Sequence, residues 1–281
     1  MSEVGNEPVW TVVGAVVAVA ALVVAVVAWR RPQAPAPKDG SLTVEQIGEV
    51  LDALSRTVEQ EWRAELPRRG VDPVARLAVR PGFTPDAASV SLNLSQVLFD
   101  RDFDGRITTW NLAGSVVASA ADKYVGLPHR QLVVLGARGS GKSIMAATLA
   151  RDLQDRRKDL GGRVPVLLPA AAWNPGFTVL PEWIAHQLSI SYGIGSGTAR
   201  QLVVDGRIIP ILDGLDENLD PTEALHQLNE WAGRDKPFVL TCRNRQYLDA
   251  HADHGPLAVA AVIELLPLLP DDAVAYLDPG H

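Results

Sequence analysis

Gly136-Ala137-Arg138-Gly139-Ser140-Gly141-Lys142-Ser143 is the stretch that decides how this chain folds. It satisfies G-x-x-x-x-G-K-[ST] at every required position. Before it stands the apolar run Leu132–Leu135, and after it a helical pattern that begins at Lys142. Phosphates need backbone N–H groups turned inward with no Cβ in the way, which explains the glycines. They also gain from the positive end of the helix that opens at Lys142. In this pattern the Lys142 ammonium neutralises the terminal phosphates and the Ser143 hydroxyl is a magnesium ligand. Residues 136 to 143 therefore form the expected phosphate cradle.

Downstream, Ile208-Ile209-Pro210-Ile211-Leu212-Asp213 is an apolar run ending in an acid, followed by Gly214-Leu215-Asp216-Glu217. An acid at the carboxyl end of a neighbouring strand can reach a magnesium ion beside the phosphates, through a bound water. Asp213 is the expected metal-site residue, with Ser143. A second acid must polarise the attacking water, and Glu217 or Asp216 is placed to do so. An acidic turn after a strand is common by itself; paired with the glycine loop it becomes specific. A third run, Phe238-Val239-Leu240-Thr241-Cys242-Arg243, ends in polar residues. Thr241 or Arg243 can sense nucleotide state there, although an arginine can equally well just close a strand. Cys242 reads as a small core residue.

Working outward, short β-rich runs alternate with helical patterns from Gln131 onward. The expected strands are Leu132–Leu135, Val164–Leu168, Ile208–Leu212, Phe238–Thr241 and Val262–Leu265. Helices are expected at Lys142–Gln154, Pro181–Ser191, Thr222–Trp231 and Arg245–Ala250. Continuous apolar strands separated by helices indicate a parallel sheet covered on both faces, a doubly wound α/β domain.

Together the segments GARGSGKS (136–143), IIPILDGLDE (208–217) and FVLTCR (238–243) resemble the NACHT family of STAND P-loop NTPases, signalling switches related to AAA+ proteins. VPVLLPAAAWNP (164–175) and AAVIELLPL (260–268) look like the connecting text of actinobacterial NACHT proteins with N-terminal membrane helices. The resemblance covers residues 131 to 277, about half of the chain. It implies ATP, less often GTP, bound with Mg²⁺ and hydrolysed slowly as part of a conformational switch. By family roles Lys142 and Ser143 bind phosphate and metal, Asp213 serves the metal, Glu217 is the base and Arg243 the sensor. No N-K-x-D motif is present, which favours ATP over GTP, and no L-S-G-G-Q stretch, which argues against a transporter ATPase. Family members continue through a helical lid, a winged-helix element and a ligand-sensing region. For a chain of 281 residues the expectation is an open core with modest affinity and fast exchange.

The expected fold is thus α/β, a P-loop NTPase with a doubly wound, mainly parallel sheet at 131–281. Before it come an N-terminal segment (1–31), a Pro-rich linker (32–40) and a small helical and extended region (41–130). Val9 to Trp29 carries no charged residue and is long enough to cross a bilayer as a helix, with Trp10 and Trp29 at its two ends. Arg30, Arg31 and Lys38 follow the run, and no Lys or Arg precedes it. The positive-inside tendency puts the N-terminus outside and the remainder in the cytoplasm, a single-pass membrane protein. Thr43 and Gln46 have capping-box spacing, and Val44, Ile47, Leu51, Leu54, Val58 and Trp62 share one helical face. A helix packed on the following domain explains that face better than an oligomerisation helix does.

The formal net charge is −7, so no overall basic footprint for nucleic acid exists. A single cysteine excludes an internal disulfide and a cysteine-based zinc site within one chain. Asp100-Arg101-Asp102-Phe103-Asp104-Gly105-Arg106-Ile107-Thr108 follows the spacing of an EF-hand loop to its ninth position, but the twelfth is Asn111 rather than glutamate. An acidic surface turn is the better reading. Two alternatives to the hydrolysing switch stay open: a non-hydrolysing, nucleotide-gated interaction module, and a calcium-responsive membrane adaptor built on 100–111. Expected partners are nucleotide, the lipid bilayer through residues 9–29, and a protein of unknown identity. A homo-oligomer is also compatible with the sequence.

Overall fold

The computed structural model describes residues 43–68, 76–81, 108–111, 120–254, 257 and 259–265. In chain order these form α1 (Val44–Arg68), β1 (Arg76–Pro81), β2 (Thr108–Asn111), α2 (Ala120–Val125), β3 (Gln131–Gly136), α3 (Lys142–Asp155) and β4 (Val164–Pro169). There follow α4 (Leu180–Tyr192), α5 (Ser196–Val204), β5 (Ile208–Asp213), α6 (Pro221–Ala232), β6 (Phe238–Cys242), α7 (Asn244–His254) and β7 (Ala261–Leu265).

The strands make one sheet in the order β2-β1-β7-β3-β6-β5-β4. Five adjacent strands, from β7 to β4, are parallel, while β1 and β2 extend the β7 edge in antiparallel fashion. The protein is therefore α/β with a mainly parallel sheet. Strands β3 and β6 are buried along their whole length, because helices cover both faces. One expectation needs correction. Asp213 ends a strand that does not neighbour the one leading into the glycine loop, because β6 lies between β3 and β5. Chain order does not reveal that a crossover skips a position and a later strand fills it.

Two prolines inside the strands sit where a ladder donor can be spared. Pro165 lies in β4, the edge strand, where a missing N–H is tolerated. Pro210 is less usual, since β5 is an interior strand. Its pairing with β4 runs its whole length, but its register with β6 is confined to Ile211↔Val239 and Leu212↔Leu240, beyond the proline.

Helix α1 begins with the reciprocal capping box. Gln46 N–H donates to Thr43 Oγ1 at 3.3 Å, and Thr43 N–H donates to Gln46 Oε1 at 2.9 Å. Leu51, Leu54, Val58, Trp62 and Leu66 are buried, whereas Val44 is 84% exposed and does not belong to the packed face. The helix lies against α3 and β4, so it shares the core of the sheet. A polar relay crosses this packing. The buried Ser55 hydroxyl donates to Gln154 Oε1 at 2.8 Å, and Gln154 Nε2 donates to the Pro165 carbonyl at 2.9 Å.

Two helices, α2 and α5, were not among the expected elements. Gly193, Gly195 and Gly197 flank or enter the start of α5, which hid its short apolar face. The apolar run 9–29, the linker 32–40 and residues 100–107 lie outside the described residues. Among the described residues no helix is long and apolar enough to cross a membrane. The last four positions of the EF-hand-like spacing form strand β2, where an EF-hand would begin its exiting helix.

Candidate functional site

Strand β3 delivers the glycine loop to the carboxyl edge of the sheet. A Cβ at Gly136 would collide with Ser140 Oγ and lie 3.0 Å from the Leu265 carbonyl, so only glycine fits there. Gly139 (φ 78°) and Gly141 (φ 91°) hold the left-handed backbone that turns the chain back into α3. Gly141 caps α3 without a side-chain hydrogen bond. The N–H groups of the first helical turn are thereby left to an anion in the loop. The Ser140 hydroxyl is buried and has no hydrogen-bond partner among the described residues. Ala137, Arg138, Gly139 and Ser143 are exposed around it. This loop, open to solvent and without a Cβ at Gly136, Gly139 and Gly141, fits a phosphate chain.

The Lys142 ammonium folds back over the loop, donating to the Gly136 carbonyl at 2.8 Å and the Ala137 carbonyl at 2.9 Å. An ammonium has three donors, so one stays available. Burial pushes its pKa below the ordinary lysine value. Arg243 acts in the same direction, while Asp216, Cys242 and Asp213 oppose it. These side chains, brought from the ends of β5 and β6, thus share one electrostatic neighbourhood with the loop.

Strand β6, inserted between the other two, ties the acids down. Thr241 is fully buried; its hydroxyl donates to Asp213 Oδ1 at 2.6 Å and accepts from Gly214 N–H at 2.8 Å. Gly214 (φ 78°) then starts the single 3-10 turn Leu215–Glu217. The two carboxylates of that turn have opposite fates. Asp216 accepts Arg243 N–H through Oδ1 at 3.1 Å and pairs with Arg243 Nε through Oδ2 at 2.6 Å. Its side chain is only 4% exposed. Glu217 is 65% exposed and meets Arg243 at 3.9 Å, a contact worth little in water. Both Asp216 oxygens are engaged, so Glu217 is the carboxylate left able to accept a proton from water. Arg243, one-third exposed, is a clamp between two strand ends rather than a loose end of one.

The glycine-loop, acidic and strand-end residues singled out by the sequence therefore lie at the carboxyl ends of β3, β5 and β6, with Lys142 and Ser143 opening α3. Asp213 and Ser143, the expected metal ligands, sit on different elements, and among the described residues no cluster of three or more His, Cys, Asp or Glu could hold a metal alone. A Mg²⁺ ion here would need the phosphates as further ligands. One polar pair was missed. Asn244 Nδ2 donates to Glu264 Oε1 at 2.6 Å, and Asn244 Oδ1 is buried without a partner among the described residues. Glu264 is level with Leu135 at the base of the loop. An acid inside the otherwise apolar AAVIEL run was the available signal. No model of a known protein family matches the chain, and no curated protein matches it.

Proposed function

We propose that this chain is a membrane-anchored P-loop NTPase of the NACHT type that binds ATP with Mg²⁺, hydrolyses it slowly and acts as a signalling switch. The observation that carries the reading is the glycine cradle with Lys142 at its mouth and Asp213 fixed across β6 by Thr241. In it, residues 136 to 143 hold the phosphates, Lys142 neutralises their charge, and Ser143 with Asp213 holds Mg²⁺, which supplies further neutralisation. Glu217 accepts the proton of the attacking water. The Asp216–Arg243 clamp keeps the Glu217 turn at a set distance from β6, so a shift at either strand end is transmitted to the base. The apolar run 9–29 fixes the protein in the membrane, with the domain on the cytoplasmic side.

Calorimetric titration of the full chain in nanodiscs with Mg-ATP and Mg-GTP tests the reading. Binding of Mg-ATP is expected, weaker binding of Mg-GTP, and at least tenfold weaker Mg-ATP binding in Lys142→Ala. A charge-assisted phosphate contact contributes about 1.5–3 kcal/mol. Equal affinity in protein and variant, or no binding of either nucleotide, overturns it.

A further inference from the structure

At the amino ends of the strands, opposite the glycine loop, a cleft of about 190 Å³ is lined by Arg130, Arg163, Arg234 and His129, with Asp235 as its one acid. The lining segments lead into β3, β4 and β6 respectively. Among the described residues no carboxylate pairs with these three arginines. Arg130 is held by the Asp159 carbonyl at 3.0 Å, and Arg163 by the Gly206 and Leu160 carbonyls at 2.9 and 3.1 Å. Backbone carbonyls orient a guanidinium without neutralising it. Arg234 is exposed and makes no side-chain bond among the described residues. Its own carbonyl accepts from His129 Nδ1 at 2.8 Å, which locks the two segments together. Arg130 is the one described non-glycine residue with positive φ, at 51°. Such backbone strain concentrates where a side chain must be aimed. In a chain of net charge −7, two guanidiniums held in place by backbone carbonyls and a third exposed beside them, around one cleft, suit a phosphate group.

The position of the cleft names the source of that phosphate. Helix α3 runs from the carboxyl edge of the sheet to the amino edge. Ser55 meets Gln154 and Asp52 meets Arg157 at the far end of α3, so α1 runs antiparallel to it. Helix α1 therefore starts at the amino edge, and its first turn extends beyond Asp52 by roughly 12 Å. Thr43, which caps the start of α1, therefore lies at the pole that carries the cleft. From Arg30 to Leu42 there are 13 residues, which span at most roughly 45 Å. On the membrane-anchor reading proposed above, on which this inference rests, the tether holds that pole toward the cytoplasmic leaflet, where anionic lipids concentrate. We propose that the cleft binds the phosphate groups of anionic lipid headgroups and so seats the domain on the bilayer, with the glycine loop facing away.

Hydrogen–deuterium exchange of the full chain in nanodiscs tests this. Amides of 129–131 and 233–236 should exchange at least threefold more slowly in phosphatidylglycerol discs than in phosphatidylcholine discs; equal rates overturn the proposal. Arg234→Glu, a change at an exposed side chain, should abolish the difference, and an undiminished difference overturns the assignment to this cleft. Equal protection by 10 mM inorganic phosphate in phosphatidylcholine discs, with no added effect of the anionic lipid, would make this a soluble-phosphate site and overturn the bilayer assignment. Two controls separate these outcomes from failure of the readings above. Protection of 136–143 by Mg-ATP in the same sample reports nucleotide binding, and resistance of the chain to carbonate extraction reports the anchor.

Discussion

Asp216 and Glu217 are neighbours in the chain, yet one carboxylate is enclosed by Arg243 and the other stands in water. Glu217→Gln should leave stability and nucleotide affinity intact and abolish turnover. Asp216→Asn should lower stability by about 1–3 kcal/mol in urea denaturation, because it removes the charge that Arg243 faces. Normal hydrolysis by the Glu217 variant would assign the base elsewhere. Spacing limited the candidates for the base to these two residues. It could not rank them, since their surroundings come from the tip of β6, which follows them in the chain. Cys242 shows the same dependence. Burial, reinforced by Asp216, pushes its thiol up to about 12. Its thiolate fraction at pH 8 is then about a thousandfold below that of a free cysteine, and labelling by a disulfide reagent should require denaturant. Rapid labelling of the native protein would show the end of β6 to be open.

At the level of elements, the Gln154 side chain joins three pieces, α1, α3 and β4. Gln154→Ala should cost about 3 kcal/mol, as it leaves Ser55 and the Pro165 carbonyl unpartnered beside a small cavity. The midpoint of urea unfolding should fall without a change in slope. A shift under 1 kcal/mol would mean that water replaces the relay. The amphipathic pattern of α1 was legible because Leu51, Leu54, Val58 and Trp62 repeat at helical spacing. Its packing on the following domain was the expected reading, and it does pack there; which elements it meets, α3 and β4, was not legible, since an apolar stripe is compatible with any apolar surface. The long parallel strands could be read from apolar runs for the same physical reason that α5 could not. A strand buried on both faces is apolar throughout, whereas α5 is short and its start is glycine-rich.

Across the whole molecule, burial raises the pKa of Tyr124, Tyr247 and Cys242 alike. Each keeps its proton in the folded state and loses it on unfolding, from about pH 9 for the thiol and pH 10 for the phenols. Their stabilising contribution is complete below pH 9 and is lost as pH rises through the folded values. Stability should be about 2 kcal/mol lower at pH 10 than at pH 8. A flat urea midpoint over that range would place these groups in contact with solvent. The sequence by itself determined the features made by adjacent residues. These are the glycine loop, whose backbone must curl and whose lysine must follow within one turn, the apolar strands, and the capping box of α1. Tertiary structure alone decided the insertion of β6 between β3 and β5, the Thr241–Asp213 and Arg243–Asp216 pairs, and the arginine cleft at the amino edge. Each of these joins residues from distant stretches, and local periodicity carries no information about which distant strand end or turn will face another.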